Sequence, residues 1–497
     1  MGLSKDIYRE FEDVVGPENI SDDPIIMESY HRPTFEAVIL PKSTEEVQAI
    51  VKLCNKQKIS FKGISTGWIG WVPGSLSFSG VIYLDLRRMN RIIEINEKNM
   101  YAVTEPYVTS AQLQAEVMKK GLNCNVIGAG ANTSALPLVG GGGDGHFGQS
   151  VSFGDRNLLA VEWVTPEGEV VRLGSLGSLD EWFCGDGPGP SLRGIIRGQV
   201  QPNGGMGVFT KAAQKLYHWP GPSTMPVEGV SPDYTLSEMP PNFLVRYFSF
   251  PSVEEQIEAE RKIGESEIAF EAMGFHVGLL ATNISSCNEE TVKNYRRLRA
   301  LVQGPGFLII IAGDSPEDFE YKKRVLEQII TETKGKSLEP IEDPRISGGL
   351  LWRCIRITGS IRETFRAGGL FHNVGLGFGQ RDIHLRYMAQ VAKKKEALID
   401  KGLIVDDSPY PFGWSLEHGH IGHTELFCQL VPAPESLEAV SELARESDMM
   451  AFNGNIAVPP RILMDIIGPR VCNYHLWIEK VKKAFDPNGL AESRGLL

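Results

Sequence analysis

Residues 62–72 read KGISTGWIGWV, with Gly63, Gly67 and Gly70 spaced around Ser65 and Thr66 and two tryptophans, Trp68 and Trp71, close behind. Backbone this bare lets successive main-chain N–H groups approach an anion, because glycine has no Cβ in the way and tolerates positive φ. Phosphate is the expected guest. The spacing is neither the GxGxxG of dinucleotide folds nor GxxxxGKS/T, which sets both of those folds aside. On its own such a loop reads more readily as a tight turn, so its surroundings must decide.

Upstream, PKSTEEVQAIVKLCNKQK (41–58) opens with Ser43 and Glu46 in capping-box spacing, and Val47, Ile50, Val51 and Cys54 recur on one helical face. Downstream, VIYLDL (81–86) reads as a buried strand, and RIIEINEKNMYAVTEPYV reads as a hairpin turning near Asn96–Asn99. Thr109 and Gln112 begin a second capped helix, which Gly121 stops. A second glycine-rich run, VGGGGDGHFG (139–148), is followed by LLAVEWVTPEGEVVRL (158–173), a strand, turn and strand. The stretch PGPSTMPVEGVSPDY (220–234) is a linker candidate. Strands and helices then alternate afresh to about residue 450, before a last helix stopped by Asp486-Pro487-Asn488-Gly489.

The totals agree with a folded, two-domain chain. Its 497 residues exceed what one core usually supports, and 42% hydrophobic with 23% charged residues is a globular balance. A net charge of −12 disfavours nucleic acid and anionic lipid as partners. The N-terminal twenty residues carry no secretory pattern, and no apolar run approaches the ~20 residues of a membrane helix. A cytoplasmic location is the expectation. The seven cysteines are scattered without a CxxC, which argues against a disulfide framework, a zinc knuckle or an intrinsic iron–sulfur cluster.

Taken in order, PKSTEEVQAIVKLC, KGISTG, VIYLDLRRMNRIIEI, AVTEPYVTSAQLQ, VGGGGDGHFGQSVSFG, LLAVEWVTPEGEVV and GGMGVFTKAAQKLY resemble the flavin-binding domain of the vanillyl-alcohol oxidase and p-cresol methylhydroxylase (PCMH) superfamily. The resemblance implies an α+β fold: a two-subdomain PCMH-type FAD-binding domain, an α+β, ferredoxin-like cap, and a C-terminal segment returning to the flavin. The implied bounds are 1–35 for an N-terminal helical segment, 36–222 for the FAD-binding domain, 240–450 for the cap and 451–497 for the C-terminal segment. It further implies FAD, held by Gly63, Ile64, Ser65, Thr66, Gly67 and Trp68 at the pyrophosphate. Pro106 begins the following element, and Gly140, Gly141, Gly143, Asp144, Gly145, Gly148 and Ser152 run along the flavin. Gly207 and Val208 would lie at the adenosine end. No covalent attachment residue matches, so the flavin is expected to be noncovalent.

The second domain resembles the cap of FAD-linked glycolate, D-lactate and D-2-hydroxyglutarate dehydrogenases. Their GHxGDGNLH segment, with a later EHG, places His, His and Glu around a metal; the corresponding stretch here is SLEHGHIGHTELF (415–427). It concentrates Glu417, His418, His420, His423 and Glu425. On a strand, His418 and His420 would share a face, making His418, His420 and Glu425 the candidate ligands of a divalent metal. Satisfied pocket or core histidines are an equal alternative. The family's LWxxR falls at LWRCIR (351–356), where the matching slot holds Ile355 and Arg353 or Arg356 would anchor a carboxylate. His418 and His420 are also the candidate bases, because histidine has the right intrinsic pKa, and Tyr474 is a candidate phenol contact.

The resemblance implies an FAD-linked dehydrogenase that oxidises a small 2-hydroxy acid and passes electrons to an acceptor protein of iron–sulfur or electron-transfer-flavoprotein type. The alternatives are a 4-alkylphenol or benzylic alcohol oxidising flavoenzyme, or a flavin relay subunit with an altered substrate site. A metal hydrolase without flavin is the outsider. A homo-oligomer is a further expectation.

Overall fold

The computed structural model describes residues 3–30, 36–66, 80–128, 130–136, 145–152, 154–174, 206–230, 233–356, 366, 370–454, 456 and 468–491. Its first lobe is built on two sheets. One orders Ile20–Ser21, Ala37–Ile39, Val81–Asp85 and Ser60–Ile64, with the last three strands parallel. The helix Thr44–Gln57 covers it, burying Val47, Ile50, Val51 and Cys54, as the spacing predicts. Ser43 accepts a hydrogen bond from the Glu46 amide, while the Glu46 carboxylate reaches back to the Lys42 amide rather than to the cap residue. The N-terminal helix Lys5–Val15 adds Phe11 and Val15 to the same core.

The second sheet is antiparallel, in the order Val170–Gly174, Leu158–Val164, Val208–Lys215, Tyr101–Thr104 and Ile92–Asn96. The predicted hairpin is its edge pair, with Asn96 Oδ1 accepting from the Asn99 amide at 2.9 Å across the turn. The helix Ser110–Met118 starts at Thr109, whose hydroxyl accepts from the Gln112 amide. The chain returns at its end: Leu490 C=O accepts from the Phe61 amide at 2.9 Å, and the Asp486 carboxylate accepts from the amides of Leu490 and Ala491.

The second lobe is one seven-stranded antiparallel sheet, ordered Lys336–Ser337, Phe243–Ser249, Gly306–Ala312, Glu271–Gly274, Phe412–Leu416, Ile421–Leu430 and Leu370–Gly379. Strand alternation sorts its residues between two faces. Leu426, Cys428 and Leu430 pack rearward with Tyr387, Met388 and Val391 of the helix Arg381–Asp400. Phe412, Trp414, Leu416 and Phe427 point forward, into a core shared with Phe147 and Val151 of the first lobe.

Candidate active site

The described end of the first glycine-rich segment meets the chain at Ser134. The Thr66 amide donates to Ser134 Oγ at 3.3 Å, and Ser134 Oγ donates to Thr66 Oγ1 at the same distance. Gly63 lies against Val208, where an added Cβ would come within 3.2 Å of Cγ1. Gly207 has φ +87°, and a Cβ there would sit 2.2 Å from Val164 O. Pro106 is buried in the turn that leads to the helix Ser110–Met118. Gly63, Ile64, Ser65, Thr66, Pro106, Gly145, Gly148, Ser152, Gly207 and Val208 thus lie on the described part of the first lobe. Gly67, Trp68, Gly140, Gly141, Gly143 and Asp144 lie outside the described residues.

Residues 145–152 pass from this region onto the forward face of the seven-stranded sheet. Gly145 and His146 pair with Ile127 and Val126, and Gly148–Val151 is one short helix. Glu271, fully buried, accepts from the Phe147 amide at 2.5 Å and stands 3.5 Å from His146 Nδ1. Ser150 donates to Phe270 O at 3.0 Å. Ser152 Oγ and Arg156 both engage the Glu417 carboxylate. The contact is close: a Cβ on Gly128 would overlap the Trp414 ring, and one on Gly148 would overlap Leu416.

Facing that contact, the sheet presents an aromatic surface with one polar relay. Trp414 pairs across the ladder with His423, their rings stacked at 5.6 Å and 29°. His146 meets Trp414 edge-on at 5.7 Å, and Phe412 stacks on Phe427 at 5.2 Å. His423 Nε2 lies 2.7 Å from Glu425 Oε1, and Asn373 Nδ2 donates to Glu425 Oε2 at 2.8 Å. His423 is 1% exposed. Neither Lys nor Arg occurs in the four strands Glu271–Gly274, Leu370–Gly379, Phe412–Leu416 and Ile421–Leu430.

The fit to a flavin rests on buried polar atoms. Gln149, 2% exposed and next to Gly148, finds no hydrogen-bond partner for either amide atom among the described residues, and neither does Trp414 Nε1. Buried polar groups are rarely left this way without a ligand or water. Gln149 and Trp414 Nε1 therefore mark where the polar atoms of a ligand would be met.

Several expectations need correcting. His418 and His420 do not lie on a strand: Glu417–Gly419 is a single helical turn linking Phe412–Leu416 to Ile421–Leu430, with φ of 49°, 54° and 90° at Glu417, His418 and Gly419. The pair therefore shares no strand face, and His420 is exposed. His418, His420 and Glu425 are not gathered into one set among the described residues. Both Glu425 oxygens serve His423 and Asn373, and setting GHxGDGNLH on Gly419–Gly422 brings its last histidine onto Phe427. No group of three His, Cys, Asp or Glu able to hold a metal ion occurs among the described residues.

Arg353 is 5% exposed with its guanidinium over the Tyr234 ring at 4.7 Å, and it lines a separate cavity of about 350 Å³ with Asn283, Lys293 and Arg345. Arg356 ends its helix, and its side chain lies outside the described residues. Tyr474 is 55% exposed on the helix Tyr474–Phe485, whose buried end packs against Trp163. Sequence reasoning passed over Trp414, Glu271, Asn373 and His146. It grouped His423 with the cluster without choosing it, although the two-residue period of His423, Glu425 and Phe427 was there to read.

Comparison with known proteins bears on the cofactor. Residues 35–174 match the FAD binding domain family. The chain is 32% identical over 220 residues to 1'-carboxy-chondrochloren decarboxylase of Chondromyces crocatus, covering 40% of this chain and 38% of that protein. It is 29% identical over 232 residues to D-2-hydroxyglutarate dehydrogenase of Stutzerimonas stutzeri, covering 45% and 48%. The chain thus spans less than half the length of these two relatives. Among solved structures, p-cresol methylhydroxylase with substrate bound superposes with a TM-score of 0.76 at 17% identity, covering 100% of this chain and 98% of that one. The fold is that of the PCMH-type flavoproteins. No helix among the described residues is long and apolar enough to cross a membrane.

Proposed function

We propose that this chain, whose residues 35–174 match an FAD binding domain, is an FAD-dependent oxidoreductase that oxidises the carbinol of a small aromatic alcohol. FAD, when bound, supplies acceptance of a hydride equivalent from carbon. The chain supplies the rest. Main-chain amides around Gly63–Thr66 and the segment Gly145–Ser152 hold the cofactor, and the forward face of the cap sheet shapes the substrate side.

One observation carries the substrate reading: the face opposite residues 145–152 is aromatic, bears the carboxyls of Glu271 and Glu425, and has no cation in its four strands. A carboxylate substrate would meet like charge in a site of low polarity, which costs several kcal/mol at close range. A neutral aryl alcohol stacks on Trp414 and Phe412 without that cost. The 2-hydroxy acid remains the second reading, supported by the likeness to D-2-hydroxyglutarate dehydrogenase and dependent on a cation such as Arg356.

Anaerobic mixing of the FAD-loaded protein with 4-methoxybenzyl alcohol, 4-ethylphenol, D-lactate and D-2-hydroxyglutarate separates the readings. The aryl alcohol is expected to bleach the absorbance near about 450 nm. Bleaching by a hydroxy acid alone would select the second reading. Passage of electrons to an iron–sulfur or flavin acceptor protein is part of the proposal. An oxidised flavin that none of these reduces, but that such a partner does reduce, would instead favour an electron-relay subunit.

A further inference from the structure

We infer that His423 is the proton acceptor for the substrate hydroxyl and that Glu425 and Asn373 are its positioning residues; this deepens the aryl-alcohol reading and rests on it. The geometry sets the tautomer. Glu425 Oε1 lies 2.7 Å from His423 Nε2, so an ionised Glu425 accepts Nε2–H and leaves the lone pair on Nδ1. Asn373 Nδ2 donates to the other Glu425 oxygen at 2.8 Å, which fixes the plane of the carboxylate. Stacking on Trp414 at 29° fixes the plane of the imidazole. A histidine oriented through one nitrogen by a carboxylate is the arrangement that readies its other nitrogen to take a proton.

Two unengaged polar atoms beside this relay point to a ligand. Trp414 Nε1, on a residue 2% exposed, and Asn373 Oδ1 find no partner among the described residues. An indole N–H supplies a donor to a substrate oxygen. In the step, the carbinol O–H bond breaks and its proton passes to His423 Nδ1. FAD, when bound, would supply acceptance of the hydride equivalent from the carbinol C–H, so that carbon and oxygen close to C=O. Two electrons and two protons leave the alcohol in all. The Glu425 carboxylate balances the imidazolium that forms.

The acceptor must be neutral to take the proton. The test uses FAD-loaded full-length protein with H423N, H423Q and E425Q, each checked for bound FAD and melting temperature. With 4-methoxybenzyl alcohol, flavin reduction is expected to slow by about 100-fold or more in the His423 variants. E425Q is expected to slow it about 10-fold. Dithionite should still reduce the flavin in all of them. Wild-type rates in both His423 variants, or losses that only track lost FAD, would overturn the assignment.

A second readout needs no turnover. Histidine 15N NMR of the wild-type protein, assigned with H423Q, is expected to show the Nε2–H tautomer, with Nδ1 shifting when 4-methoxybenzaldehyde is added. An Nδ1–H tautomer overturns the proposal. A flavin that D-lactate reduces and 4-methoxybenzyl alcohol does not would sink the substrate reading instead, while the tautomer still decides the role of His423.

Discussion

At the scale of single residues, three histidines that lie within six positions of one another have different surroundings. His423 is buried and held by Glu425, whereas His418 sits in a left-handed turn and His420 is exposed. Replacing His418 and His420 together by Ala is therefore expected to change flavin reduction by less than about threefold, against the loss of about 100-fold for H423N. Stopped-flow reduction measured side by side checks this. A collapse in the double variant with His423 intact would return the base to the turn. Gly207 is a second single-residue test. Its φ of +87° and the 2.2 Å approach of Val164 O leave no room for a Cβ, so Gly207→Ala is expected to cost roughly 2 kcal/mol or more, read by chemical denaturation. That glycine was assigned to the cofactor from resemblance, but the strand beside it gives a sufficient reason for its presence.

At the scale of elements, the helix Val277–Asn283 is capped by a histidine. His276 Nδ1 accepts from the Leu279 amide at 3.2 Å, and burial, reinforced by nearby Lys395, lowers its pKa to about 3. The unfolded chain takes up this proton near its ordinary value of about 6.5, so below that pH the unfolded state binds more protons. Stability is then lost as pH falls from about 6.5 towards 3. Asp407, raised by burial, acts in the opposite sense, so the test compares wild type with His276→Asn, which keeps a capping side chain. The gap in melting temperature between the two is expected to narrow between pH 7 and 5. A constant gap would show that His276 does not titrate this way.

Elements were also where the sequence was most legible. The helix Thr44–Gln57 and the hairpin near Asn96 follow from capping residues and periodicity, which are local. The stretch 415–427 was harder. Its alternation runs through a tight turn, and three successive left-handed residues, only one of them glycine, give little local sign of where the strand breaks. The partners of Glu425 were hidden for another reason: Asn373 lies 52 residues away and meets it only through the pairing of Leu370–Gly379 with Ile421–Leu430.

At the scale of the whole molecule, the site exists because two lobes meet, and two carboxylates join them. Glu271 binds the Phe147 amide, and Glu417 binds Ser152 and Arg156. Glu271 accepts from the amides of both Phe147 and Ala272, so Glu271→Gln turns a donor on one of them inside a fully buried site. It is expected to cost about 1–3 kcal/mol in stability and to weaken FAD binding, measured by melting and by FAD titration. Unchanged affinity with lowered stability would separate the joint from the cofactor path. The contact was not legible in the sequence, because Phe147 and Glu271 are 124 positions apart.

The most direct test of the whole account is titration of flavin-free protein with FAD, followed by flavin fluorescence, in wild type and in Trp414→Phe. A single FAD is expected to bind the wild-type protein with quenched emission, and Trp414→Phe is expected to bind it with emission partly restored. A colourless protein that takes up no FAD would contradict the proposal that the two glycine segments and the cap sheet enclose a flavin.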